Sequence, residues 1–382
     1  MMIALPGLDG TLQPYQLGPP PAWQPSQAPP RSRVAYAAAH VVADPLGDPA
    51  AQAAAIDWDA TLRLRRHLWT HGLRVADGMD TAQRNMGLDW PAARELAVRS
   101  AAAALDFGDP AELVAAGAGT DHAPAARDLG SIVGAYTDQL EAIRAAGASV
   151  VLMASRELVR VARGPDDYLE VYARVLAQAD RPVIVHWLGE MFDPQLAGYW
   201  GSPDIWRAAE TLLQLIRENI TKIDGVKVSL LDPGHEVALR AALPTGVRLY
   251  TGDDFNYPSL IASGSDALLG IFDAIAPAAA AALHALDDGD KLRYEEVLAP
   301  TVPLARKIFE KPTYNYKTGL AFVAWLAGHQ DAFVMLRGAQ SARSLPHLAE
   351  VFRLADYAGL LPDPDLAVRR MSILLAHYGI GR

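Results

Sequence analysis

Residues 222–232 read KIDGVKVSLLD, an apolar run with one lysine, Lys227, in its middle. Such a run reads as a strand covered on both faces, as in a parallel sheet with helices packed over it. An ammonium inside such a strand is costly unless it is paired or neutral. Held there with a lowered pKa, it is a candidate amine nucleophile. Only six of the 34 basic residues are lysines, so a lysine in an apolar strand stands out from the composition.

SVVLMA (149–154) and PVIVHW (182–187) share this character. On either side a rhythm of short apolar runs and amphipathic stretches continues, as βα units require. The spacing predicts strands at 34–42, 73–76, 113–116, 149–154, 182–187, 225–231, 247–251 and 267–272. It predicts helices at 58–70, 90–104, 131–146, 166–178, 203–218, 236–242 and 277–286, with an irregular connection after Thr251. Eight such units in succession point to a (β/α)8 TIM barrel. A doubly wound sheet is the competing architecture, but AHVVADPLGD (39–48) is not the Gly-rich phosphate loop that should follow its first strand. Residues 1–33 are rich in Pro, Gly and Gln and read as an extended arm lying on the body or on a partner subunit, because such a segment builds no core. The barrel then spans 34–290, and a C-terminal helical extension spans 291–382.

A net charge of −10 with no basic run argues against nucleic-acid binding. There are no cysteines, which excludes disulfides and thiolate chemistry. The opening MMIALPGLDG lacks the layout of a signal peptide, and the longest apolar tract, 276–286, is too short to cross a bilayer. A cytoplasmic protein without a membrane partner is expected.

Barrel active sites lie at the C-terminal ends of the strands. Polar residues recur there: Asp80 and Thr81 after the second strand, Asp121 and His122 after the third, His186 and Glu190 at the fifth. Asp232 and His235 follow the sixth strand, and Asp253 and Asp254 the seventh. Alternate strand residues face inward, so an inward Lys227 reaches the barrel mouth. Each position has a plainer reading. Asp232-Pro-Gly-His235 also reads as a turn with a helix cap, Asp121 as a cap, His186 as a core histidine and Lys227 as half of an ion pair.

G-V-K on the sixth strand, LYTGDD some two dozen residues later and LIASGSDALLGIFDAIAPAAAAALHALDDGD after it resemble the dihydrodipicolinate synthase / N-acetylneuraminate lyase superfamily. KIFEKPTYNYKTGLAF is similar to the helices that follow the barrel in that superfamily. The resemblance covers roughly 34–330 and is most specific from 224 to 290, as in a divergent dihydrodipicolinate synthase-like branch of unknown function. It implies a class I aldolase or lyase, a homodimer or homotetramer, in which Lys227 forms an imine with a carbonyl substrate. The departures are equally informative. Where those enzymes carry G-T-T-G-E, this chain reads D-T-A-Q-R (80–84) and keeps a hydroxyl only at Thr81. Where they carry the Tyr of Y-N-x-P, this chain places His186, and Glu190 and Met191 stand where an arginine is usual.

The first reading is therefore a Schiff-base-forming lyase, a retro-aldolase or dehydratase. It acts on a hydroxylated keto acid or keto-sugar through Lys227, with His186 moving protons and no cofactor. Thr81, Asp80, Asp121, Glu190, Asp232, His235 and Asp253 are its substrate-binding candidates. The second is a metal-dependent hydrolase or aldolase. Its divalent ion would be held by some of Asp121, His122, His186, Asp232, His235 and Asp253, although no H-x-H or H-E-x-x-H spacing is present. The third is a non-catalytic barrel that binds a small molecule.

Overall fold

Eight strands close on themselves in parallel. The computed structural model describes residues 2–380 apart from Leu8, Pro20, Ala22, Gln27, Gln52 and residues 81–83. A hairpin of β1 (Met2–Pro6) and β2 (Leu12–Gln16) precedes the barrel strands. These are β3 (Ala35–Ala37), β4 (Arg74–Asp77), β5 (Val114–Ala118), β6 (Ser149–Leu152), β7 (Val183–Leu188), β8 (Ile223–Ser229), β9 (Arg248–Thr251) and β10 (Asp266–Leu269). Their order is β10-β3-β4-β5-β6-β7-β8-β9, so sequential strands are neighbours and β10 closes on β3. With helices alternating between the strands, this is a (β/α)8 TIM barrel.

The described chain forms two compact units. One comprises residues 33–38 and 74–269 and holds all eight barrel strands. Its interior is filled from alternate positions: Tyr36, Ala76, Ala115, Val151, Ile184, Tyr250 and Leu268 pack into one buried cluster. The other comprises residues 1–32, 39–73 and 270–382. Within it the N-terminal arm lies on helices of its own chain: Tyr15 Oη donates to Asp356 at 2.7 Å and Trp23 Nε1 to the Gly359 carbonyl at 2.8 Å. From Lys291 onward the described residues carry helices and no strand, which is the C-terminal extension.

Helices begin where an aspartate satisfies the first free backbone N–H groups. Asp89, Asp128, Asp204 and Asp232 each accept from a backbone N–H two or three residues ahead. Helices Trp58–Thr70 and Trp90–Ala104 have the predicted limits. The first strand is shorter than its apolar run, because Ala39–Val42 stay buried but leave the ladder. A helical turn, Pro110–Leu113, capped by Asp109, delays β5 to Val114. The connection after Thr251 contains a short helix, Tyr257–Ala262.

Candidate active site

Lys227 sits in the middle of β8, level with His186 on β7 and Tyr250 on β9. All three are buried. Tyr250 belongs to the interior cluster, and registered neighbours in a parallel sheet share a face, so Lys227 and His186 project into the barrel. Two glycines make room for them. A Cβ on Gly225 would meet Tyr250 Cε2 at 2.8 Å, and one on Gly252 would stand 3.0 Å from Lys227 Cε and collide with Ser229 Oγ. G-V-K and T-G-D-D thus owe their glycines to a ring and a lysine that need the space.

His186 Nε2 lies 3.2 Å from Ser229 Oγ, and its Nδ1 faces Asp80 Oδ2 at 3.5 Å. Burial, reinforced by the charge of Lys227, holds the imidazole well below its ordinary pKa, so it is neutral at neutral pH. Burial likewise pushes the Asp80 carboxyl up to about 6, against the opposing pull of Arg84 and Lys227. The group that titrates near neutrality is therefore Asp80, and His186 is the neutral ring between it and Ser229.

A fully buried arginine, Arg84, organises this side of the mouth. Its Nε and Nη2 donate to the two carboxylate oxygens of Asp121 at 2.9 and 2.7 Å. Nη2 also donates to Gln139 Oε1 at 2.7 Å, and Nη1 donates to the carbonyls of Gly78 and Gly117 at 3.2 and 3.0 Å. All five guanidinium N–H groups are thereby used. Burial would raise the Asp121 pKa, but the Arg84 hydrogen bonds and charge, with Gln139, hold it below the usual carboxylate value.

Beside Asp80 opens a cleft of about 200 Å³ whose wall includes Asp121, Glu157, Asp193, Arg156 and Arg160. Three ties cross its wall: Arg156 Nε pairs with Asp193 at 2.5 Å, Arg160 Nη2 with Glu157 at 3.0 Å, and Thr120 Oγ1 donates to Glu157 at 2.6 Å. A tyrosine relay braces the segment after β6: Tyr136 Oη donates to the Met153 carbonyl at 2.5 Å, and Tyr199 Oη accepts from the Ser155 N–H at 3.0 Å.

The sequence candidates thus separate. Lys227, His186, Asp80 and Asp121 gather at the mouth of β4, β5, β7 and β8. Asp253 is buried in its own turn, accepting from the N–H groups of Phe255 and Asn256 at 2.9 and 3.0 Å. Asp232 caps helix Pro233–Ala242 by accepting the His235 N–H at 2.9 Å. His235 stacks edge-on against Trp187 and Trp206, on the outward side of the sheet, since Trp187 alternates with His186. Glu190 is exposed on the turn after β7, and Thr81 lies outside the described residues. Among the described residues no three His, Asp or Glu side chains converge as metal ligands. Arg84, Ser229, Gln139 and the Arg156–Asp193 pair escaped the sequence reading. A lone arginine in a polar loop gives no sign that its acceptors come from three separate segments.

A profile described as "Protein of unknown function (DUF993)" matches residues 3–380. The chain belongs to the DUF993 family. No curated protein is similar enough in sequence to count as a relative. Solved structures similar to the DUF993 chain include dihydrodipicolinate synthases. A monomeric dihydrodipicolinate synthase variant superposes with a TM-score of 0.67 at 15% identity, over 86% of this chain and 97% of that one. The Acinetobacter baumannii enzyme, chloride-inhibited and complexed with pyruvate, gives 0.65 at 14%, over 86% and 100%. That from Oceanobacillus iheyensis gives 0.60 at 15%, over 91% and 97%. The DUF993 chain therefore shares the barrel fold of these structures at 14–15% sequence identity.

Proposed function

We propose that the chain is a Schiff-base-forming lyase, a retro-aldolase or dehydratase acting on a hydroxylated keto acid or keto-sugar through Lys227. The observation that carries this reading is a buried, inward lysine beside a neutral imidazole and a carboxyl that titrates near neutrality. Lys227 Nζ adds to the substrate carbonyl carbon, and the carbonyl oxygen leaves as water, giving an iminium. In the retro-aldol direction His186 takes the proton of the hydroxyl beyond the scissile bond. That C–C bond breaks, a second carbonyl forms, and the electron pair moves onto the imine nitrogen as an enamine. Asp80, 3.5 Å from His186 Nδ1, stabilises the imidazolium that results. Reprotonation of the enamine carbon and hydrolysis of the imine release the second product and restore the amine. A dehydratase course would instead expel a hydroxyl from the carbon next but one to the imine.

Enamine formation exchanges protons on the carbon next to the carbonyl with solvent. Ketoses and hydroxylated 2-oxo acids incubated with the protein in D2O are expected to take up deuterium there, and Lys227→Ala is expected to abolish it. Exchange that persists in Lys227→Ala and stops with a chelator would instead support the metal-dependent reading. Binding without exchange by any carbonyl compound would support the non-catalytic one.

A further inference from the structure

We propose that Ser229 is a catalytic proton carrier of this site, its hydroxyl passing protons between the bound substrate and His186. This rests on the imine reading of Lys227 and adds a residue to it. Ser229 ends β8, two positions after Lys227 and therefore on the same inward face. Its backbone is fixed there, since its carbonyl accepts the Gly189 N–H at 2.9 Å. Ser229 Oγ and Lys227 Cε both lie within 3.0 Å of one point, the place that a Cβ on Gly252 would take, so hydroxyl and amine border the same space. His186 is fully buried, with Nε2 3.2 Å from Ser229 Oγ and Nδ1 3.5 Å from Asp80 Oδ2. Such contacts tighten when a substrate binds. An ionised Asp80 draws the ring proton to Nδ1 and leaves Nε2 as an acceptor, for which the Ser229 hydroxyl is the donor. A ring faced at both nitrogens and closed to solvent reaches a substrate through the neighbouring hydroxyl. In C–C cleavage the substrate hydroxyl gives its proton to Ser229 Oγ while the Ser229 proton passes to His186 Nε2. The electron pair of the broken bond becomes the enamine double bond as the imine nitrogen recovers its lone pair. Reprotonation runs the path in reverse: His186 Nε2 returns its proton to Ser229 Oγ, Ser229 delivers its own to the enamine carbon, and the nitrogen pair restores the iminium.

Two readouts test it. In the first, wild type and Ser229→Ala, each checked for folding by circular dichroism, are incubated with dihydroxyacetone, erythrulose and pyruvate. Borohydride-trapped adduct on Lys227 and deuterium uptake from D2O next to the carbonyl are both measured. Ser229→Ala is expected to trap within about twofold of wild type while taking up deuterium about a hundredfold more slowly. Exchange at the wild-type rate, or trapping lost together with exchange, overturns the inference and leaves the imine of the wild type intact. The second readout, nitrogen NMR of isotope-labelled histidine with His186 assigned through His186→Gln, needs no imine. At about pH 8 the neutral ring is expected to carry its proton on Nδ1, and Ser229→Ala is expected to shift the Nε2 resonance. A proton on Nε2, or an Nε2 resonance that Ser229→Ala leaves unmoved, overturns the inference. Absence of any Lys227 adduct in the wild type would count against the imine reading, and the NMR result then decides the role of Ser229 by itself.

Discussion

Gly252 and Lys227 are tightly coupled, because a Cβ at 252 would stand 3.0 Å from Lys227 Cε and closer still to Ser229 Oγ and the Val228 carbonyl. Gly252→Ala would press a methyl group toward Lys227 Cε and Ser229 Oγ. We expect it to lower kcat about tenfold or more while costing ~1–3 kcal/mol of stability, a split read by steady-state kinetics beside denaturant unfolding. Asp80 gives a second test. Its ionised carboxylate supports the imidazolium of His186, so kcat is expected to rise as pH climbs through about 6, the value to which burial pushes this carboxyl. Asp80→Asn should flatten that limb of the pH–rate profile and run about a hundredfold or more slower. The inward placement of Lys227 and His186 was legible in the sequence because a strand's alternation assigns a face to each residue on it. Asp232 and His235 were not, because three residues past a strand a helix begins, and its pitch decides that His235 turns toward Trp206.

Helix Pro233–Ala242 is fastened to β9 and to the start of β10 by a buried acid. Glu236 accepts from Thr251 Oγ1 at 3.0 Å and from Ser265 Oγ at 2.9 Å, and burial pushes its carboxyl up to about 7. A raised folded-state pKa means that the native form holds the proton more tightly than the unfolded chain. The stabilisation is therefore present below the ordinary value of 4.5 and is lost as pH rises through about 7. Glu236→Gln is expected to match the wild type at about pH 4 and to exceed it at about pH 8 by up to ~3 kcal/mol, as denaturant titrations at the two pH values would show. The strands themselves were readable because parallel strands buried on both faces leave unbroken apolar runs. Short helical turns such as Pro110–Leu113 were not, since four residues carry no helical period. Arg84 lay beyond reach for a related reason: its partners Gly78, Gly117, Asp121 and Gln139 come together only when β4, β5 and the helix Leu129–Ala145 have packed.

For the whole chain, eight parallel strands close into the same barrel fold as the dihydrodipicolinate synthase structures, while sequence identity to those compared stays at 15% or below. At that distance the fold persists and the chemistry must be read from the site. No helix among the described residues is long and apolar enough to cross a membrane. We expect a homodimer or homotetramer, so light scattering should return two or four times the 41.0 kDa chain mass, and a monomer at micromolar concentration would contradict this. The reading stands or falls on one covalent bond. Borohydride reduction in the presence of ketoses and hydroxylated 2-oxo acids, followed by peptide mass spectrometry, is expected to place a secondary-amine adduct on Lys227. The adduct should be absent from Lys227→Ala. An adduct on another lysine, or turnover of a substrate that leaves Lys227 unmodified under trapping, would contradict imine catalysis at this site.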